Sequence, residues 1–163
     1  MSNDAVPVEL VGVRIELPTN QPIVLLREAT GTRYLPIWIG ADVATAIAFA
    51  LEGVEPQRPL THDLLKISVE ALGARVDRVT VTSLEDGIYY ADLVLVMADR
   101  EVVVSSRPSD AIALAARTSA PIFVSARVLE EAGVEIRDED EEEEIARFRS
   151  FLDDVEPEDF DTA

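Results

Sequence analysis

The sequence predicts an α+β fold in which two β-meanders, each followed by a helix, form a mixed, mostly antiparallel sheet packed by helices. Two groups of segments alternate between apolar and polar residues, which is the period of a half-buried strand. Each group runs into an alanine-rich segment, at residues 41–51 and 111–117, made of good helix formers. With 163 residues, 48% of them hydrophobic, the chain is long enough for one ordinary domain with a real core.

The first half of the chain is expected to contain three strands and two helices. The predicted strands are residues 6–17, 23–26 and 34–39, and the predicted helices are residues 41–51 and 64–72. Pro36 indicates that the third strand lies at an edge or carries a bulge, because proline cannot donate to the strand ladder. Gly53 and Gly73 are expected to end the two helices. Thr61 is expected to be the N-cap of the second helix, with Asp63 in its first turn.

The second half repeats this order and adds a short C-terminal part. The predicted strands are residues 75–84, 88–97, 101–106 and 122–124, with a last extended piece at 134–136; the predicted helices are residues 111–117 and 127–132. Apolar residues such as Phe148 and Phe151 then recur at helical spacing, which predicts a short C-terminal helix. The expected organisation is one domain over 6–136, an acidic linker over 137–144, and a helix with a polar tail over 145–163.

The net charge of −18 is unevenly distributed. Residues 137–163 hold 13 acidic residues and 3 arginines, a net of −10, and the remaining residues have a net of −8. Seven consecutive acidic residues, 138–144, are expected to be solvated. A charge of this sign repels polyanions at long range, so it argues against a nonspecific nucleic-acid coat protein.

Other features of the composition exclude several classes of site. The chain has no cysteine, which rules out disulfides, thiolate zinc sites and a cysteine nucleophile, and fits a reducing cytoplasm. The N-terminal residues show neither the basic nor the apolar region of a secretory signal. The sequence contains no run of 18 uncharged apolar residues, so no membrane-spanning helix is expected. With one histidine and no cysteine, any metal site would be rich in carboxylates and would favour Mg²⁺ or Mn²⁺.

The segment from 102 to 117, VVVSSRPSDAIALAAR, combines strong structural signals with many reactive groups. A β-branched strand leads directly into a helix, so Arg107, Ser109 and Asp110 are expected beside the free N–H groups of the helix start. Arg107, Ser106 and Ser109 with those N–H groups would form a small anion site. The same residues also fit an ordinary helix start, with Pro108 in the first turn, and both interpretations stay open.

Two further polar clusters could take part in chemistry. His62 is the only histidine and precedes Asp63 at a helix start, so the pair could act as an oriented general base or as two first-turn surface residues. Asp92 lies within a strand rich in tyrosine, leucine and valine, where it must be solvent-exposed or paired. A pair between Asp92 and Arg107 across a hairpin is one arrangement that would satisfy it.

Four segments of the chain resemble, in order, the bifunctional nuclease (BFN) family. They are NQPIVLLREATGTRYLPIWIG at 20–40, RPLTHDLL at 58–65, DGIYYADLVL at 86–95 and SSRPSDAIALA at 105–115. The resemblance covers about residues 6–136, and the acidic stretch followed by RFRSFLDDVEPEDF resembles the C-terminal extension of bacterial members. It implies an α+β, dimeric protein that acts on RNA and DNA, as plant members are described to do. The positions that match recurrent polar motifs of the family are Thr61, His62, Asp63, Asp92, Arg107, Ser109 and Asp110.

Two hypotheses about function follow. In the first, the protein is a nuclease that hydrolyses phosphodiester bonds, with Arg107, Ser109 and Thr61 at the substrate and His62 as general acid or base. Asp63, Asp92 and Asp110 would then be catalytic carboxylates that orient a water or hold a divalent ion. In the second, the protein is a non-catalytic dimeric binding or regulatory module, in which these residues are helix caps and ion pairs and the acidic tail docks a partner.

Overall fold

The computed structural model describes residues 4–136, which contain eight strands and four helices. The strands are β1 (Ala5–Glu16), β2 (Gln21–Glu28), β3 (Arg33–Trp38), β4 (Ala74–Glu85), β5 (Ile88–Met97), β6 (Arg100–Ser106), β7 (Ile122–Ser125) and β8 (Val134–Glu135). The helices are α1 (Ala41–Glu52), α2 (Thr61–Ala71), α3 (Pro108–Thr118) and α4 (Ala126–Ala132). The α+β class is confirmed. The predicted linker over 137–144 and C-terminal helix over 145–163 lie outside the described residues.

All eight described strands form one sheet in the order β6-β5-β4-β7-β1-β2-β3-β8. The two meanders, β1-β2-β3 and β4-β5-β6, are antiparallel as predicted. They are joined by β7, which pairs antiparallel with β1 and parallel with β4. This short strand makes the sheet mixed and turns the two halves of the chain into a single layer.

The hydrophobic core lies between one face of this sheet and the helices α1 and α3. Val79 and Val81 of β4 point into it, and Ile47 of α1 and Ile112 of α3 are completely buried there. The two helices contact each other through small side chains, since α3 buries its alanines at 111, 113 and 115. The alanine-rich composition of both helices therefore serves close packing within the subunit.

The structure confirms some of the local predictions made from the sequence and contradicts one. The hairpin turn at Asp86 and Gly87 is confirmed, with both residues at positive φ, 52° and 79°, as a tight two-residue turn requires. Pro36 lies on the part of β3 that β8 does not cover, which agrees with its predicted edge position.

The prediction of Thr61 as N-cap is wrong, because Thr61 is the first residue of α2 and Leu60 is its N-cap. The Leu60 N–H donates to Asp63 Oδ2 at 3.0 Å, so the carboxylate stabilises this helix start.

No helix that the structure describes is long and apolar enough to cross a membrane.

Candidate active site

A cluster of three charged or titratable side chains, His62, Asp110 and Arg107, joins the start of α2 to the start of α3. We call it the α2–α3 cluster. His62 Nε2 lies 2.9 Å from Asp110 Oδ1, and Arg107 Nε donates to Asp110 Oδ2 at 2.7 Å. His62 is the one buried residue of α2, while Arg107 is largely exposed to solvent. The carboxylate of Asp110 therefore links a buried histidine to an arginine at the surface.

The charge of Asp110 sets the hydrogen-bonding pattern of this cluster. Burial raises the pKa of Asp110, but hydrogen bonds from Arg107 and His62 together outweigh it and hold the pKa below its ordinary value. An ionised carboxylate can only accept hydrogen bonds, so His62 Nε2 must be the donor. Nδ1 of His62 makes no hydrogen bond within residues 4–136. In the neutral ring this nitrogen carries the lone pair, as a general base requires.

The first turn of α3 supplies further groups beside Arg107. Pro108, at the first helical position, has no N–H, and the Ala111 N–H bonds to the Arg107 carbonyl. The N–H groups of Ser109 and Asp110 are the donors that a helix start leaves without intrahelical partners. Ser109 is only 7% exposed, and its hydroxyl makes no hydrogen bond within the part of the chain that is described. Arg107, Ser109 and the helix start thus present several donors suited to an anion.

Asp63 points away from its neighbour His62 and belongs to a second ion pair. It accepts from Arg117 Nε at 2.7 Å, while its other oxygen is held by Leu60. The oriented pair of His62 and Asp63, one of the two interpretations that the sequence left open, is not formed, because adjacent helical residues point in different directions and His62 bonds to Asp110. The only sequence signal for Arg117 was a basic residue in the last turn of a helix, which is also typical of a dipole-stabilising residue.

Asp92 lies apart from the α2–α3 cluster, on the other face of the sheet. Its neighbours Ala91 and Leu93 point into the core beneath α3, so strand alternation turns Asp92 the opposite way. There it lines a pocket of about 420 Å³ with Arg78 and Thr80. The predicted Asp92–Arg107 pair is not formed, since Asp110 binds the guanidinium instead.

The three carboxylates predicted to share a divalent ion do not converge. Within residues 4–136, no group of three or more histidine or acidic side chains is placed to hold a metal ion together. Asp63 and Asp110 are each engaged by an arginine, and Asp92 is separated from both by the sheet. Thr61 is exposed at the first position of α2, next to His62. The structure thus brings together His62, Asp110, Arg107 and Ser109 of the predicted set.

Comparisons with known proteins identify similar sequences in bacteria and plants. The sequence model of the Bifunctional nuclease domain matches residues 24–137. An uncharacterized protein of Mycobacterium tuberculosis is 50% identical over 161 residues, 94% of this chain and 96% of its own length. Bifunctional nuclease 1 of Oryza sativa subsp. japonica is 29% identical over 70% of this chain and 35% of its own length. Bifunctional nuclease 2 of Arabidopsis thaliana is 30% identical over 74% of this chain and 37% of its own. The chain thus spans about a third of the plant proteins that it matches.

Proposed function

Since this chain belongs to the bifunctional nuclease domain family, we propose that it hydrolyses phosphodiester bonds in RNA or DNA at the α2–α3 cluster. One observation carries the proposal: the carboxylate of Asp110 holds both a histidine and an arginine at the start of α3. An acid–base group, the carboxylate that orients it and a phosphate-binding cation are the parts that phosphodiester hydrolysis needs. The names of the plant relatives support the same reaction class.

Each residue of the cluster has a role in the proposed reaction. Arg107 and the N–H groups of the α3 start bind the nonbridging oxygens of the scissile phosphate. His62 accepts the proton of the attacking water at Nδ1 as the new P–O bond forms. The same proton is then delivered to the leaving oxygen as the old P–O bond breaks. Asp110 keeps the imidazole in the required tautomer and stabilises its protonated form.

Cleavage of synthetic single strands by the purified protein tests this proposal. The assay uses one RNA and one DNA strand, each with and without Mg²⁺ or Mn²⁺. We expect His62→Gln, which keeps a donor toward Asp110 but lacks the base, to lower the rate about 10²–10⁴-fold. We expect Arg107→Ala to lower it about 10²-fold or more through weaker phosphate binding.

Arg127→Ala is the matched control for the arginine. Arg127 is an exposed helical arginine paired with Glu131 four residues on, and it lies outside the cluster. Its removal is expected to leave the rate unchanged. Equal activity in the wild type and in both cluster variants would contradict the proposal, because the activity would then come from a contaminant. Lack of cleavage by the wild type under every condition would contradict it as well.

A second function, dimerisation through α2, is favoured by a separate observation. Leu64, Leu65 and Leu72 are exposed at and just after α2, with Leu64 at 57% and Leu72 at 78%; we call them the α2 outer face. We propose that a second copy of this chain covers this face. An uncharged apolar seam lets two acidic chains associate without bringing like charges together. A symmetric dimer would pair each α2 with its counterpart.

Light scattering coupled to size-exclusion chromatography tests the dimer. We expect the mass of a dimer for the wild type and that of a monomer for the double variant Leu64→Asp and Leu72→Asp. Ile88→Asp, at an equally exposed residue on β5, is expected to leave the dimer intact. A monomeric wild type, or a double variant that stays dimeric, would contradict this interface.

A further inference from the structure

An open pocket of about 510 Å³ lies between the end of α1, the loop at 53–59, α2 and the end of α3. Its apolar walls are formed by Phe49, Ala50, Val54, Pro56, Pro59 and Ile67. Its polar side is formed by Arg117, Asp63, Glu55, Gln57 and Lys66, the only lysine of the chain. The pocket shares none of its lining residues with the α2–α3 cluster.

Arg117 is the feature that indicates a ligand. Its side chain is only 7% exposed, its Nε donates to Asp63, and its Nη1 donates to the Ala113 carbonyl at 3.0 Å. Nη2 makes no hydrogen bond within the described chain. No fully buried side-chain nitrogen lacks a partner among these residues, so Nη2 keeps some accessible surface, and Arg117 is one of the residues that line the pocket. Two hydrogen bonds therefore fix the guanidinium at the lining of the pocket, and Nη2 and the second hydrogen of Nη1 remain as unused donors.

The charges around the pocket favour a neutral ligand over a free anion. Arg117 is paired with Asp63, and Lys66 lies in the same lining as Glu55, so the two cations face two carboxylates. A phosphate group would gain little from a lining without net positive charge. A flat, uncharged ring with hydrogen-bond acceptors on one edge matches the apolar walls and the spare N–H groups.

We propose that this pocket binds a guanine base of the nucleic acid, with Arg117 donating to its O6 and N7 atoms. This proposal rests on the proposed nuclease function and adds a base preference to it. Guanine presents two adjacent acceptors on this edge, whereas adenine presents one acceptor beside a donor, and arginine recognises the guanine pattern with two parallel hydrogen bonds. The apolar walls then pack against the ring.

The position of the pocket relative to the α2–α3 cluster determines which nucleotide is read. Arg107 and Arg117 lie ten residues apart at opposite ends of α3. At 1.5 Å per residue, this spacing corresponds to about 15 Å along the helix. A base that fills the pocket therefore belongs to a different nucleotide from the one whose phosphate is cleaved. The protein is expected to cut at a fixed distance from a guanine.

Calorimetric titration of the full chain with nucleoside monophosphates tests the pocket without relying on cleavage. The probes are guanosine 5′-monophosphate, cytidine 5′-monophosphate and inorganic phosphate. We expect the wild type to bind the guanine nucleotide at least tenfold more tightly than the cytosine nucleotide. Ile67→Trp, which places a large ring in the lining of the pocket one helical turn from Asp63, is expected to abolish this preference. Ser68→Trp, at an exposed position of the same helix, is the matched control and is expected to keep it.

The outcomes separate this proposal from the nuclease function. Equal binding of the two nucleotides, a preference that survives Ile67→Trp, or displacement of the guanine nucleotide by phosphate alone would each overturn the base pocket. Cleavage without any relation to guanine would also overturn it while leaving the nuclease proposal intact. A guanine preference in a chain that cleaves nothing would support the pocket and contradict the nuclease proposal. Arg117→Lys, which keeps the charge but loses the two-pronged donor, is expected to lose the preference and stay folded.

Discussion

Asp110 is the residue on which the α2–α3 cluster depends, because each of its oxygens holds a different partner. Burial alone would raise its pKa, and the hydrogen bonds from Arg107 and His62 reverse that effect. We expect Arg107→Ala to raise the pKa of Asp110, since only the hydrogen bond from His62 then opposes the effect of burial. Titration of the carboxyl carbon by NMR measures this change. Arg127→Ala should leave the pKa of Asp110 unaltered, and an unchanged value in Arg107→Ala would show that the ion pair does not persist in solution.

The lowered pKa of Asp110 also links folding to pH. The folded state binds its proton less readily than the unfolded chain, so ionised Asp110 contributes stability above the ordinary carboxyl pKa. That contribution is lost as the pH falls through the lower pKa of the folded state. Asp63, whose pKa is also lowered, adds to the same loss in acid.

The candidate site was only half predictable at the scale of single residues. His62, Arg107, Ser109 and Asp110 could be selected because their residue types suit phosphate chemistry at a helix start. The hydrogen-bond partners of these residues could not be predicted, because the sequence shows only which residues are adjacent along the chain. The fold determines which residues are close in space. His62 bonds to a carboxylate 48 residues away instead of to the adjacent one.

At the scale of elements, α2 is held to α3 by two polar links rather than by an extended apolar face. Its single buried residue is His62, and its other anchor is the Asp63–Arg117 pair. Removing Asp63 would leave a largely buried guanidinium without its carboxylate, which is costly. The position of α2 against α3 therefore depends on two carboxylates, Asp63 and Asp110, each of which bonds across the contact between the two helices.

We expect Asp63→Ala to lower the free energy of unfolding by about 3 kcal/mol. Asp77→Ala is the control, because Asp77 bonds to Arg75 and Arg78, which are both more exposed than Arg117. Its loss should cost less than about 1 kcal/mol. Urea denaturation of the two variants beside the wild type measures both values. Equal losses would mean that the burial of Arg117 does not govern the strength of its pair.

The strands and helices were largely predictable, whereas their order in the sheet was not. Local periodicity, Asp86-Gly87 and the glycines after helices mark where each element begins and ends. No local signal places β7 between β1 and β4, because its parallel pairing with β4 joins residues about 40 positions apart. The error at Thr61 has a related cause: Asp63 binds the Leu60 N–H and so begins the helix one residue earlier than a hydroxyl cap would.

At the scale of the whole molecule, the family match favours a nucleic-acid substrate, whereas the negative net charge repels one. The family match indicates a nuclease-type protein, yet the chain carries a net charge of −18. More than half of this charge lies in residues 137–163, outside the described fold. Arg107, the phosphate-binding cation of the proposed site, must therefore attract a polyanion locally while the rest of the molecule repels it.

The acidic run should accordingly weaken the binding of nucleic acid in a salt-dependent way. We expect a full-length variant with Glu141, Glu142, Glu143 and Glu144 replaced by Gln to bind a single-stranded oligonucleotide more tightly than the wild type at low salt. The difference should shrink as salt rises, because the screening length falls from about 30 Å at 0.01 M to about 3 Å at 1 M. Fluorescence anisotropy across a salt series measures both affinities. A gain that persists unchanged at high salt would contradict long-range repulsion by the acidic run.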